Sequence, residues 1–103
     1  MSLATLDRTS LVESLRTLEP ELRAQGVTRL AIFGSRARGD HRADSDLDIL
    51  VDVSPSQKFS LLDLICVCHI IEDSLGIDTY GVMRQGLEPE TAKRIQSDII
   101  EVF

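Results

Sequence analysis

Apolar residues recur at helical spacing near the start of the chain. Leu11, Val12, Leu15, Leu18 and Leu22 repeat with the period of a helix face. Ser10 is placed to cap this helix, with Glu13 three positions on to complete a capping box; the first nine residues are expected to be loose. Pro20 interrupts the period, which predicts a bend or a second short helix with Pro20 in its first turn. Gly26 is a good stop. The pattern then changes to short apolar runs. Val27 to Phe33 and Leu47 to Val53 read as strands, the second covered on both faces. A short helix or turn begins near Ser35, and Ser54-Pro55-Ser56 closes the second strand. Phe59 to Leu75 is the most apolar stretch, and its apolar positions exceed one helical stripe. Such a helix is either fully enclosed or carries a second apolar face for another subunit or a partner. Gly76 ends it, Ile77 to Met83 reads as a third strand, and Gln85-Gly86 makes a turn. Pro89 then opens a last helix with Ala92, Ile95, Ile99 and Val102 on one face. The expected fold is of the α/β (α+β) kind, a small mixed sheet of at least three strands flanked by helices.

Charge interrupts this pattern in one place that calls for chemistry. Gly34-Ser35 follows the first strand directly, and Asp46 and Asp48 open the second. Residues two apart on a strand share a face, so the two carboxylates stand side by side while Leu47, Ile49 and Val51 turn to the core. Neighbouring carboxylates resist ionising together unless a cation is shared between them. This predicts a hard-metal site, with magnesium favoured because it takes oxygen ligands and also binds substrate phosphates. A Gly-Ser turn leading into a helical turn aims backbone N–H groups and a hydroxyl at an anion. Arg36, Arg38 and Arg42 add positive charge to the same loop. Ser45 either positions the Asp46 carboxylate or caps a turn. Asp40, Asp44 and Asp52 read as surface charges, and His41 as an exposed loop residue. Strand parity leaves Asp52 on the face of Asp46 and Asp48 but farther from the loop.

Bulk properties narrow the setting. At 103 residues the chain is the size of one domain. A hydrophobic fraction of 43% with 27% charged residues is that of an ordinary globule. No run approaches the roughly twenty apolar residues that span a bilayer, and no leader-like segment opens the sequence, so a cytoplasmic protein is expected. The formal net charge of −6 argues against an extended nucleic-acid groove. Cys66 and Cys68 lack a second pair for a zinc site and are expected to be buried reduced thiols. His69 and Tyr80 read first as packing residues, although Tyr80 shares the parity of Asp78 and is able to stack on a base.

Gly34-Ser35, ten intervening residues, then Asp46-Leu47-Asp48 resembles the signature of the DNA polymerase β-type nucleotidyltransferase superfamily. The fuller string from Gly34 to Val51 resembles its smallest members, the minimal nucleotidyltransferases, many of which are antitoxin partners of HEPN-domain proteins. The resemblance covers nearly the whole chain and implies the nucleotidyltransferase fold as one domain over residues 1–103. It implies two magnesium ions held by Asp46, Asp48 and a third acid on the strand after the long helix, where Ile77-Asp78 matches the family's apolar-Asp pair. It implies nucleotide binding by Gly34 and Ser35, with Arg36 or Arg38 as a further phosphate contact and Ser45 nearby. It also implies ATP as substrate and transfer of AMP to a tyrosine of a HEPN toxin, which is thereby silenced. Two other readings stand beside this one. The chain is a binding antitoxin that masks its partner without chemistry, or it modifies a small molecule at a site completed by oligomerisation.

Overall fold

The computed structural model describes residues 7–103, in which four strands and five helices build one mixed sheet with helices on both faces. Helix α1 spans Arg8–Arg16 and α2 spans Glu19–Ala24. Strand β1 runs Val27–Phe33, helix α3 is the single turn Ser35–Arg38, and β2 runs Leu47–Val53. Helix α4 spans Leu61–Leu75, β3 runs Thr79–Met83, α5 spans Pro89–Ile95 and β4 is Ile100–Glu101. The sheet order is β3-β2-β1-β4. Strand β1 is antiparallel to both β2 and β4, while β2 and β3 are parallel. A parallel pair cannot be joined by a tight turn, and α4 supplies the crossover.

The two faces of the sheet carry unequal cores. Leu30, Ile32, Leu47, Ile49 and Val51 meet Leu11, Leu15 and Leu22 from the first helices and Leu64, Val67 and Ile71 from α4. On the other face a smaller cluster forms from Ala31, Leu50 and Ile95, with Phe33, Val82 and Leu87 packed against it. Strand β2 is therefore apolar on both sides along its middle, as its sequence predicts. Gly81 lets α4 approach β3 closely, since a Cβ there would stand 2.8 Å from Cys68 Sγ and 3.0 Å from a Leu64 methyl.

Several boundaries differ from the sequence reading. Helix α1 begins at Arg8 and is capped by Asp7, whose carboxylate accepts the Ser10 N–H at 2.8 Å. An Asp placed three residues ahead supplies the acceptor one turn earlier than the Ser10–Glu13 box. Residues 8 and 9 are therefore helical, and the expectation of looseness for residues 1–6 lies outside the described residues. Helix α4 starts two residues late because Ser60 and Asp63 form a reciprocal capping box there. The last helix stops at Ile95 instead of carrying Ile99 and Val102 on its face. The chain turns to pair with the open edge of β1, and the Val102 N–H donates to the Leu30 carbonyl at 2.7 Å. Ile99 then packs in the small core and Val102 in the large one. Cys68 is buried, but Cys66 is exposed on the outer face of α4.

Gly81→Val is expected to lower stability by about 1–3 kcal/mol, because branched atoms would be forced between α4 and β3. Urea unfolding followed by circular dichroism measures it, and an unchanged midpoint would contradict the close packing.

Candidate active site

The site grows from the junction of β1, α3 and β2. Gly34 takes φ +78°, a left-handed backbone that favours glycine, and a Cβ there would collide with the Asp48 carboxylate. The reason lies in the sheet register: Phe33 is the direct partner of Asp48 across β1 and β2. Chain leaving β1 at Gly34 thus passes directly over the Asp48 carboxyl group. Helix α3 starts at once, and a helix start leaves its first N–H groups without intrahelical acceptors. Ser35 and the Asp48 carboxylate are thereby held at one corner of the sheet.

Asp48 lies on β2 on the side opposite the fully buried Leu47, and Asp46 stands just ahead of the strand, on the other flank of Leu47. Asp46 is exposed and Asp48 half-buried. Burial raises the Asp48 pKa above its ordinary value, the neighbouring Asp46 charge raises it further, and the Arg38 guanidinium draws it back. A pair short of positive charge is a donor set that a divalent cation fits.

Asp78 stands just outside the third strand, which begins at Thr79 and not at Ile77. Its carbonyl accepts the Leu47 N–H at 2.8 Å, which seats its backbone against the start of β2. Its exposed side chain helps line a cleft of about 170 Å³ whose other wall is Ala43, Asp44 and Ser45. Asp78 is therefore brought beside the Asp46 end of the pair. Among the described residues, however, no three His, Cys, Asp or Glu side chains are gathered closely enough to hold a metal ion. Asp48 is on β2 with Asp46 just ahead of it, and Asp78 is hydrogen-bonded through its backbone to the start of the same strand.

The loop between α3 and β2 is held by a buried cation. Arg36 is only 1% exposed, and its guanidinium donates to the Ser45 carbonyl at 2.9 Å and the Ala43 carbonyl at 3.4 Å. Its side chain thus braces the segment that delivers Asp46, an occupation different from the solvent-facing phosphate contact that loop arginines suggest. Ser45 caps a turn, with its hydroxyl accepting the Arg42 N–H at 2.9 Å. Arg38 is the more exposed cation, and it pairs with Asp40 at 3.1 Å and Asp98 at 2.9 Å. Asp98 carried no local signal: it lies sixty residues from Arg38 and reaches it only after α5 folds back over the sheet. His41 is half-buried and not exposed, with Nδ1 shut from solvent and without a hydrogen-bond partner. Asp52, on the same strand face but at the far end of β2, is held by Arg84 at 2.9 Å.

Residues 10–102 match the family described as the nucleotidyltransferase domain. The chain belongs to this family. The match spans the helices, the sheet and the whole Gly34–Asp48 junction. Among curated relatives, the protein adenylyltransferase MntA of Thermococcus cleftensis is 36% identical over 104 residues, covering 99% of this chain and 100% of the relative. A solved structure assigned to the minimal nucleotidyltransferases superposes with a TM-score of 0.75 at 30% identity, covering 92% of this chain and 95% of that one. A toxin–antitoxin complex solved with AMP-PNP shares the fold, with a TM-score of 0.69 at 15% identity over 85% of this chain and 72% of that one. The minimal nucleotidyltransferase fold and the enzyme class expected from the Gly34–Asp48 string are thus those of the chain. Among the described residues, no helix is long and apolar enough to cross a membrane.

In this nucleotidyltransferase the raised Asp48 pKa has a stability consequence. Its folded pKa lies above the ordinary carboxyl value of 3.8, so the folded state keeps this proton to higher pH than the unfolded chain does. The group's contribution to stability therefore falls as pH rises through that window, and the penalty is complete above it. Asp48→Asn should raise the melting temperature at neutral pH in a chelator, and the gain should vanish toward acid pH. A gain that persists unchanged below the window, or a loss at neutral pH, would contradict this assignment.

Proposed function

We propose that this nucleotidyltransferase moves AMP from ATP to a tyrosine hydroxyl of a HEPN-domain partner protein and so acts as its antitoxin. The observation that carries the reading is the full-length similarity to a protein adenylyltransferase, joined to a chain that keeps the acids and the Gly-Ser turn together. Support for the partner comes from a fold neighbour at 13% identity, a complex of a tri-AMPylated Shewanella oneidensis HEPN toxin with its MNT antitoxin.

Asp46 and Asp48 would hold magnesium, with Asp78 completing a second position. When bound, the metal neutralises the triphosphate and the developing charge on the attacking oxygen. The residues themselves do the positioning. Gly34 lets the backbone approach the β- and γ-phosphates, and the Ser35 hydroxyl donates to them. Arg38 adds positive charge at the same corner, while Arg36 and Ser45 fix the loop that presents Asp46. Asp78 favours loss of the tyrosine proton. The tyrosine oxygen then bonds to the α-phosphorus in line with the bond to the β-phosphate oxygen, which breaks to release pyrophosphate. Catalysis of this kind rests on alignment and charge complementarity.

The test is the intact mass of a HEPN-domain protein co-expressed with this chain, after incubation with the enzyme, magnesium and each nucleoside triphosphate in turn. Growth by whole AMP units with ATP is expected, lost by at least about 100-fold in Asp46→Asn. A stable complex with no mass change under any nucleotide would overturn the transfer reading and leave neutralisation by binding.

A further inference from the structure

The large hydrophobic residues left exposed are not scattered. Among the described residues they are Leu61 at 73%, Leu62 at 72%, Ile65 at 41% and Tyr80 at 60%. The first three share the outer face of α4; Tyr80, on the neighbouring strand β3, alternates with Gly81 and turns its side chain to the opposite face of the sheet, beside Phe33 and Val82. Between helix and strand runs a groove of about 250 Å³, lined by Leu61, Ile65, Tyr80 and Gly81 among others. That is below the range of about 300–1,000 Å³ usual for small-molecule sites, but it admits one anchoring side chain of a protein. The neighbouring strand β3 is the edge of the sheet, and its five residues Thr79–Met83 include no charge and no proline to guard it.

Charge selects among the proteins that could sit there. From Phe59 to Met83 the sequence contains no lysine or arginine, while Asp63, Glu72, Asp73 and Asp78 all fall within it. Glu72 lines the groove itself. A second copy of this chain on the same face would set these acids against their own counterparts, in a protein of net charge −6; like charges so juxtaposed oppose association. A surface with an apolar centre and a basic rim meets no such penalty. The groove borders the edge strand on the face opposite Asp48, and Thr79, which lines it, follows Asp78 directly. Across the sheet, Tyr80 pairs in register with Asp48.

We propose that the groove between α4 and β3 is the docking face for the acceptor protein, which inserts an apolar side chain between Leu61 and Ile65 of α4 and the Thr79–Gly81 stretch of β3 and surrounds it with lysines or arginines. This rests on the transfer reading only for the acceptor's identity; the face itself is argued from exposure and charge. A partner docked here and reaching round the edge strand β3 brings its hydroxyl to the Asp78 side of the carboxylates.

The variant Leu61→Lys/Ile65→Lys changes two solvent-facing positions and opposes a basic rim. Its affinity for the HEPN-domain partner, by calorimetry, is expected to fall by about tenfold or more. Its binding of a fluorescent ATP analogue with magnesium should stay unchanged, which reports an intact fold and nucleotide site. The milder Leu61→Ser/Ile65→Ser, with only the apolar contact removed, should lose affinity in the same direction. Partner affinity within twofold of wild type in both variants would overturn the docking face. So would sedimentation showing a wild-type dimer that the variants abolish, since the face would then belong to a second copy. Wild type that binds the HEPN protein through this face but transfers nothing refutes the transfer reading and leaves the face standing. Transfer at full efficiency by both variants does the reverse. Neither complex nor transfer with wild type would refute both.

Discussion

The Asp48 carboxylate lies against the backbone of Gly34, at a point where a side chain has no room. That contact depends on the antiparallel pairing of β1 with β2, which sets Phe33 opposite Asp48 and brings the exit of one strand over the entrance of the other. Most of the chain serves this junction. Buried leucines of α1 and α2 cover the β1 and β2 residues whose side chains point away from the acids. The small core with Ile95 supports the other face just beyond Asp48. Arg36, sealed beneath the loop, fixes the path from α3 to Asp46 through two backbone carbonyls. A half-buried acid beside an exposed one is electrostatically unfavourable, and the proposed magnesium would relieve it.

The division of labour between the arginines follows from burial. Arg36 serves the loop, since carbonyl oxygens accept its donors where water does not reach. Arg38 stays at the surface, where Asp40 and Asp98 hold it near Asp48. Its effect on the Asp48 pKa places it within electrostatic reach of the carboxylate pair. A triphosphate arriving at Gly34 and Ser35 would compete with Asp98 for this guanidinium.

How much of this was legible in the sequence depends on whether the signal was local. The bounds of β1 and β2, the turn at Ser35, Pro20 at the start of α2 and Gly76 after α4 all follow from chain-local rules of periodicity and capping. The closeness of Asp46 and Asp48 was equally local, since they flank Leu47, although the strand itself begins only at Leu47 and Asp46 lies just before it. Features that depend on distant partners were not visible. Strand β4 exists because the outer edge of β1 needed hydrogen bonds, and nothing in Ile99-Ile100-Glu101 announces that need. Loop arginines ordinarily face water, so the burial of Arg36 required the fold to show it. The excess apolar surface of α4 was apparent as a count, but its concentration on one outer face beside β3 was not.

The central claim is that Asp46 and Asp48 form a divalent-cation site held by the Gly34 contact. It is tested most directly by titrating the chain with Mn²⁺ as a spectroscopic substitute for magnesium and reading the free ion by electron paramagnetic resonance. Wild type should remove Mn²⁺ from solution, with affinity lowered by about tenfold or more in both Asp46→Asn and Asp48→Asn. Titrations of the two variants that superpose on wild type would contradict the claim.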